Sequence, residues 1–252
     1  MYAEKQLTDE GGLTAAPARQ PFIVGLSTLA MAVSVFPSLC LGVLAVFMVD
    51  DIGMSRTQLG VVAAVISAVT ATTSIWLGGL ADRRGGRLLL LVVFVAGAVG
   101  IAGYAAAPSY PVLVAAAVVA GVCQGAANPA TNRLVSETIV PGRLGVVTGI
   151  KQSGEMMAVV ACGAVLPAAA VAFGWRGALA LAAVLPALAI VLVLVGVPAR
   201  LPAPPSESRA QATGPVGWRT WWLAGYALLV GLVGASVMTY LALYAQESLG
   251  LD

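Results

Sequence analysis

The composition of this 252-residue chain excludes an ordinary soluble domain. Hydrophobic residues make up 60% of the chain and charged residues 10%, against roughly 45–50% and about 25% in soluble globular domains. The mean hydropathy is +0.95, and uncharged apolar runs reach the ~20 residues that cross a bilayer core. The sequence therefore predicts an all-α polytopic membrane protein. At about 22 residues per span, seven spans fit this length and twelve do not.

The rarer residue types narrow the possible functions. The chain contains no histidine, which excludes His-ligated zinc and nucleophiles activated by histidine. We therefore expect no metal site, no cofactor and no enzymatic activity. Cys40, Cys123 and Cys162 each lie in an apolar run, where a thiol packs as a small hydrophobe. The net charge of +2 is too small to indicate a nucleic-acid partner.

The chain opens with a polar tail, residues 1–20, followed by the charge-free run 22–49. This run exceeds the length of a signal-peptide core and has no small-residue cleavage site, so it predicts a first transmembrane helix. Further spans are predicted at 57–81, 88–107, 111–135, 145–172, 177–197 and 220–246.

These spans divide the chain into a bundle, a linker and one more helix. Residues 21–197 are predicted to form a six-helix transmembrane bundle. Residues 198–217 are polar and rich in proline, a composition that cannot bury enough surface to fold, and they predict a cytoplasmic linker. Residues 218–252 are predicted to hold the seventh transmembrane helix and the start of an external loop.

The basic residues are distributed unequally between the two sides of these spans. With a cytoplasmic N-terminus, eleven of the 13 Lys and Arg residues face the cytoplasm, and Arg56 and Arg176 face outward. The positive-inside rule therefore predicts a multi-pass protein with its N-terminus in the cytoplasm. We expect it to lie in the lipid bilayer of a bacterial plasma membrane.

The turn between the second and third spans combines an acid, a glycine turn and arginines. Such a turn reverses the chain tightly and fixes charges at the membrane interface. Composition alone leaves open that it is a basic cytoplasmic loop with an incidental acid. The residues that form the pattern are Gly78, Leu80, Ala81, Asp82, Arg83, Gly85 and Arg87.

This turn resembles the loop signature of the major facilitator superfamily, Gly-x-Leu-Ala-Asp-Arg-x-Gly-Arg-Arg/Lys. It departs from that signature at Gly86, where the family usually has a basic residue. The helix order, Gly174-Trp175-Arg176 before the sixth span and Tyr240 to Tyr244 in the seventh are also similar to the family. The resemblance covers about residues 20–252 and implies the amino-terminal half of a secondary transporter, plus the linker and first helix of the other half.

The resemblance also implies a gating role for the signature. In the family, the acid that corresponds to Asp82 locks the cytoplasmic side of the outward-open state by pairing with a signature arginine and capping a helix of the second half. In this chain that arginine would be Arg83 or Arg87.

Polar residues at membrane depth predict a pathway for a solute or an ion. Lys151 and Glu155 are four apart and share one helix face, and Glu155 lies about 15 Å along its helix. A carboxylate at that depth is costly unless it is paired, protonated or facing water, so it is either functional or neutralised by Lys151 in a packing pair. The predicted pathway residues are Gln124, Asn128, Lys151, Gln152, Glu155 and Tyr240; Tyr240 could equally be an interfacial anchor.

The resemblance implies that a small solute is moved by alternating access, with Glu155 as the candidate for proton coupling. Two departures disfavour a proton/drug exporter, because Gly121 stands where exporters carry an arginine and Gly163 is followed by alanine instead of proline. The alternative is a truncated, non-transporting fragment or a membrane assembly partner, since one bundle cannot enclose a site that the family builds from two. A second helical bundle, or a homodimer mate, would then have to complete the site.

Overall fold

The computed structural model describes residues 20–139 and 141–198, together with 217, 218, 220–223, 225, 226 and 229. Within these residues every regular element is helical, which confirms the all-α prediction. The elements in chain order are α1 (Gln20–Val43), α2 (Ala45–Ile52), α3 (Arg56–Arg84), α4 (Gly86–Ala106), α5 (Tyr110–Thr138), a 3-10 turn (Pro141–Arg143) and α6 (Leu144–Gly196).

Five of these helices, α1, α3, α4, α5 and α6, are long and apolar enough to cross a membrane. The 53 residues of α6 contain two predicted spans and would measure about 80 Å if straight. Gly174 interrupts them with non-helical φ 72° and ψ 158°. Residues 144–173 and 175–196 are therefore two arms of α6, and the chain reverses between them, as the six-span prediction requires.

The first predicted span, 22–49, forms two helices instead of one. Helix α1 starts at Gln20 and runs through Pro37, and the chain breaks at Leu44 before the short helix α2. Backbone bonding continues across the break, because the Leu44 N–H donates to the Cys40 carbonyl at 2.9 Å and the Leu44 carbonyl accepts from Met48 N–H at 3.0 Å. Helix α2 is therefore a separate helical segment whose backbone hydrogen bonds continue from α1.

The turn between the second and third spans is shorter than its sequence suggests. Helix α3 extends to Arg84 instead of ending at residue 81, and α4 begins at Gly86 instead of residue 88. Gly85 alone connects them, with φ 83° and ψ 168°, a conformation that L side chains rarely adopt. Asp82 and Arg83 therefore lie in the last helical turn of α3.

The same backbone conformation occurs at two of the reversals of the chain. Gly85 and Gly174 share a positive φ and an extended ψ. Each is followed two residues later by an arginine, Arg87 in α4 and Arg176 in the second arm of α6.

Small residues allow the helices to approach closely. Gly100 packs against the Ala120 backbone, and a Cβ on Gly103 would lie 2.8 Å from Ala116 Cβ, so α4 and α5 are in near backbone contact. The three cysteines are buried and free, as packing residues should be. Large apolar side chains remain outside the core on α3, where Ile75 and Trp76 are 78% and 81% exposed.

The chain divides into two compact units between residues 203 and 204. The helices above belong to the first unit. In the second, the described residues from 218 to 229 are helical, and the rings of Trp218 and Trp222 make an edge contact with centroids 5.7 Å apart. Residues 1–19, 199–216 and most of the predicted span 220–246, including Tyr240, lie outside the described residues.

Candidate functional site

The signature residues gather at one end of the bundle, called here the signature end, where α3 ends and α4 begins. The Asp82 side chain is 74% exposed, and its Oδ1 lies 3.8 Å from Nη1 of Arg133 on α5. Arg133 Nε in turn donates to Oε1 of Glu137 at 2.6 Å, and the Glu137 side chain is only 4% exposed. In this structure the ion-pair partner of Asp82 is therefore Arg133, and not Arg83 or Arg87.

Arg87 ties the start of α4 to the end of α6. Its Nη2 donates to the Leu194 carbonyl at 3.1 Å, one of the last carbonyls of the helix, which has no intrahelical partner. The Nε of Arg87 is buried and has no hydrogen-bond partner among the described residues. Arg83, by contrast, is exposed on the outer side of the last α3 turn.

Gly86, the departure from the signature, lies directly on the backbone of α5. A Cβ at this position would be 2.6 Å from Leu134 N and 2.9 Å from Leu134 Cα. The Gly86 N–H also points at Oε2 of Glu137, at 3.4 Å. A basic side chain would separate α4 from α5 here, so the departure has a packing cause.

The remaining signature positions differ in environment. Leu80 is partly buried against the core at the signature end. Gly78 has no heavy atom within 4 Å of the position of a Cβ and faces a groove. That groove, of about 600 Å³, runs between α3 and α5 and is lined by Ser74, Gly78, Ala81, Asp82, Asn128, Pro129, Asn132, Arg133 and Ser136.

Polar residues of α5 form a stripe along this groove. Gln124, Asn128 and Asn132 are spaced by four and therefore share a helix face. Gln124 Oε1 accepts a hydrogen bond from Ser38 of α1 at 3.3 Å. Asn128 and Asn132 are exposed in the groove, so two of these three side chains are open to a solute.

Lys151 lies behind the groove wall, on the single buried stripe of the first α6 arm. It is 1% exposed. Its Nζ donates to Thr131 Oγ1 at 2.9 Å and to Asn132 Oδ1 at 2.6 Å. These are the only side-chain hydrogen bonds that join α5 to α6 in the described part of the chain. Asn132 thus connects the buried ammonium to the groove.

The expected pairing of Lys151 with Glu155 is not formed. Across the described residues Glu155 has no ion pair within 4.0 Å and no hydrogen-bond partner, and it is half-buried. The next residue after Lys151, Gln152, is exposed. The Lys151 ammonium is therefore hydrogen-bonded to neutral oxygens, and the Glu155 carboxylate lies one helical turn away without forming an ion pair within 4.0 Å among the described residues.

At the other end of the bundle, called here the opposite end, Arg176 forms a four-bond clasp. Its Nε and Nη2 donate to Oδ2 of Asp51 at 3.2 and 2.9 Å. Its Nη1 donates to the carbonyls of Ala105 and Ala107 at 3.2 and 2.7 Å, and its Cζ lies 4.5 Å from the Trp175 ring centroid. This clasp fixes the tip of α2, the end of α4 and the start of the second α6 arm.

Sequence reasoning did not predict roles for Thr131, Asn132 or Glu137 and treated Arg176 as a charge outside the membrane. The spacing of Arg133 and Glu137 carries a signal, because opposite charges four apart on a helix form favourable pairs. The repeated Gly-x-Arg of residues 85–87 and 174–176 is a second signal. No local pattern indicates that Thr131 and Asn132 receive Lys151.

Known proteins resemble this chain in sequence. The sequence profile of the Major Facilitator Superfamily matches residues 24–252. A hexuronate transporter of Bacillus subtilis (strain 168) is 29% identical over 137 residues, which is 54% of this chain and 32% of that relative. The matched part thus spans about a third of the length of the curated relative.

Proposed function

The chain belongs to the major facilitator superfamily, and from that premise we propose that it forms one helical bundle of a secondary transporter that moves a small solute by alternating access. Transporters of this family place the solute near the bilayer midplane, between two related bundles. The six spans of residues 20–196 supply one such bundle. The match over residues 24–252 is the observation that carries this proposal.

For the solute we propose an organic anion of the sugar-acid class. The Bacillus subtilis relative is named for hexuronates. The Lys151 ammonium is buried on neutral oxygens with no counter-charge within 4.0 Å among the described residues. The Lys151 ammonium behind the groove and Arg133 in its wall contribute positive potential that favours an anion there, beside the one carboxylate of the lining, Asp82.

The proposed roles follow from position. Asp82, Arg83 and Arg87, with Gly78, Leu80 and Gly85, form the gating signature, and Arg133 is added to them because it pairs with Asp82. Gln124, Asn128, Gln152 and Glu155 supply polar groups to the pathway, with Lys151 behind them. Tyr240 keeps its proposed place in the pathway on sequence alone.

The proposed orientation puts the signature end in the cytoplasm of a bacterial plasma membrane, because basic residues concentrate there. We further propose that a second bundle completes the site. The alternative function, a non-transporting fragment or an assembly partner, predicts the same behaviour for the chain alone, which is no saturable uptake in proteoliposomes. Saturable uptake by the chain alone would instead indicate that two copies complete one site.

A fusion tests the transport proposal directly. Residues 20–198 are joined to the second half of the Bacillus subtilis relative and reconstituted in vesicles with a proton gradient. We expect saturable galacturonate uptake that glucuronate inhibits and galactose, which has a hydroxymethyl group in place of the carboxylate, does not. A folded, inserted fusion that carries no hexuronate, beside an active intact relative, would overturn the proposal. Equal uptake of galactose would overturn the anion assignment alone.

A further inference from the structure

The contact between Lys151 and Asn132 determines which atoms the amide of Asn132 presents to the groove between α3 and α5. Lys151 Nζ donates to Asn132 Oδ1 at 2.6 Å. An ammonium carries only N–H donors, so the amide atom that faces it is the oxygen. The short distance is typical of a charge-assisted hydrogen bond. Lys151 therefore fixes the orientation of the Asn132 amide.

The amide nitrogen of Asn132 is turned away from Lys151. In a planar amide the oxygen and the nitrogen leave the carbon on opposite sides, so a group that holds Oδ1 directs Nδ2 away from itself. Asn132 is exposed and lines the groove. Within the described residues its side chain takes part in one hydrogen bond, the one from Lys151. The two N–H bonds of Nδ2 are thus donors that a bound molecule can use.

The helix that carries Asn132 is packed closely on two others, at one point on each side of this residue. A Cβ on Gly125 would lie 3.1 Å from the Thr70 carbonyl oxygen of α3. A Cβ on Gly86 of α4 would lie 2.6 Å from Leu134 N. A donor on a fixed backbone with a fixed amide orientation is preorganised, so a ligand does not have to order it.

The charges near the Asn132 donors favour a negative acceptor. Both carboxylates at this end of the bundle, Asp82 and Glu137, are paired with Arg133. Lys151 is 1% exposed and has no counter-charge within 4.0 Å among the described residues. A charged donor also polarises the amide that it holds, which strengthens the amide N–H groups as donors.

Asn128 provides the internal comparison, because it lines the same groove one helical turn away. It is exposed like Asn132. In the described part of the chain no charged group donates to its amide, so that amide can present either its oxygen or its nitrogen. Of these two asparagines, Asn132 is therefore the one with fixed donors.

We propose that Asn132 is the specificity-determining residue for the carboxylate of the solute: Lys151 orients its amide so that Nδ2 donates to a carboxylate oxygen in the groove. No covalent bond is made or broken, and Lys151 is a positioning residue behind the asparagine. A neutral hydroxymethyl group gains less from these donors than a carboxylate, whose hydrogen bonds are charge-assisted. The inference rests on the proposed transport of a sugar acid and identifies the residue that recognises the acid group.

Galacturonate uptake by the fusion described above tests Asn132. Asn132→Ala removes the donors, and we expect KM to rise about tenfold or more, the effect of losing a hydrogen bond to a charged group. The value of kcat should stay within about twofold. Specificity is measured as the inhibition constant of the neutral galacturonate methyl ester divided by that of galacturonate. This ratio should fall in Asn132→Ala and stay at the wild-type value in the matched control, Asn128→Ala; an unchanged ratio in Asn132→Ala would overturn the proposal.

Two aspartate variants separate hydrogen bonding from charge. Asn132→Asp keeps an acceptor for Lys151 and adds a negative charge that the ammonium neutralises, but it replaces the N–H donors by an oxygen. Asn128→Asp adds the same charge at a groove position without that cation. We expect Asn132→Asp to lose more galacturonate uptake, with an unfolding temperature no lower than that of the wild type. The reverse order is what charge repulsion alone predicts, and it would overturn the proposal.

Lys151→Met tests the positioning role. The methionine leaves the amide free to rotate, and an apolar side chain suits this buried position, so folding should be retained. KM should rise. Combined with Asn132→Ala, Lys151→Met should raise KM by less than the product of the two single effects, because the lysine acts through the asparagine. A full product would show that the two residues act independently and would overturn the positioning role.

The chain itself gives a readout that does not depend on transport, since the described residues form the groove. The side-chain amide signal of Asn132, identified by its loss in Asn132→Asp, is followed by heteronuclear NMR in nanodiscs. We expect galacturonate to shift this signal and galactose to leave it unchanged. A signal that galacturonate does not move overturns the inference, even beside a fusion that transports hexuronate. A shifted signal with an inactive fusion refutes the transport proposal alone.

Discussion

The two ends of the bundle use arginine and carboxylate in contrasting ways. At the opposite end, Arg176 makes four hydrogen bonds of 2.7 to 3.2 Å that join residues up to 125 positions apart. At the signature end, Arg133 is held at 2.6 Å by Glu137 of its own helix, and its contact with Asp82 on α3 is a loose 3.8 Å.

The two ends differ in how much of the hydrogen-bonding capacity of their charged groups is used within this bundle. The guanidinium of Arg176 caps carbonyls of α4 and neutralises Asp51, so its hydrogen-bonding capacity is largely used inside this bundle. Asp82 is three-quarters exposed and uses one weak contact. Its carboxylate is therefore available to a group outside this bundle, as the gating role proposed for it requires.

The largest expected effect comes from breaking the clasp with Arg176→Ala. The variant loses two hydrogen bonds from a charged donor to carbonyls, each worth about 1.5–3 kcal/mol, and a partly exposed ion pair worth about 0–1 kcal/mol. We expect a loss of about 3 kcal/mol in the free energy of unfolding, measured by denaturation in detergent. Arg84→Ala, at an exposed position, is the control and should change stability by less than about 0.5 kcal/mol. Equal losses in the two variants would show that the hydrogen bonds of Arg176 do not stabilise the bundle.

The second largest effect is expected at Gly86, where the family usually has a basic residue. Gly86→Ala places a Cβ within 2.6 Å of Leu134 N, and overpacking of this kind costs about 1–3 kcal/mol. We expect a loss of about 2 kcal/mol, and a larger one for Gly86→Lys. Gly79→Ala is the matched control, because nothing lies within 4 Å of its Cβ position, and it should stabilise α3 by about 0.5–1 kcal/mol. A neutral Gly86→Ala would show that α4 and α5 separate easily.

The all-α membrane class could be predicted from the sequence because it depends on local composition. Apolar length fixes the spans, and the glycines at 85 and 174 mark the two tight reversals by the positive φ that they adopt. The break at Leu44 was not predicted, because Gly42 two residues before it is the one helix-weakening residue in an otherwise apolar stretch.

Spacing along a helix was not enough to predict charge partners. Arg133–Glu137 and Lys151–Glu155 have the same spacing of four, yet the first pair forms and the second does not. The outcome depends on what the neighbouring helix offers: Lys151 faces two oxygens of α5, a contact that spacing along α6 cannot reveal. The pairing of Asp82 with Arg133 is also between helices, and it was missed for the same reason.

A smaller effect is expected from Glu137→Gln, which tests whether Arg133 is held from its own helix. The glutamate uses Oε1 to accept from Arg133 Nε and Oε2 to accept from the Gly86 N–H, whereas the glutamine has one acceptor oxygen and also lacks the negative charge beside a mostly buried guanidinium. We expect a loss of about 1–2 kcal/mol in the same unfolding assay. Ser136→Ala, one residue earlier and exposed, should be nearly neutral. If Glu137→Gln is also neutral, Asp82 is the stronger partner of Arg133, and the contrast between the two ends is smaller than the distances indicate.

The smallest effect on stability is expected from Asp82→Asn, and here a small effect is the informative result. The side chain is 74% exposed and 3.8 Å from its partner, so the free energy of unfolding should change by less than about 0.5 kcal/mol. Asp51→Asn is the matched change at the opposite end, where the carboxylate accepts two short bonds from Arg176, and it should cost more than Asp82→Asn. In the transport fusion the order should reverse, with Asp82→Asn the more damaging to uptake, because the proposed gate needs this carboxylate for a contact outside the bundle. Equal uptake by the two variants would place Asp82 among ordinary surface acids.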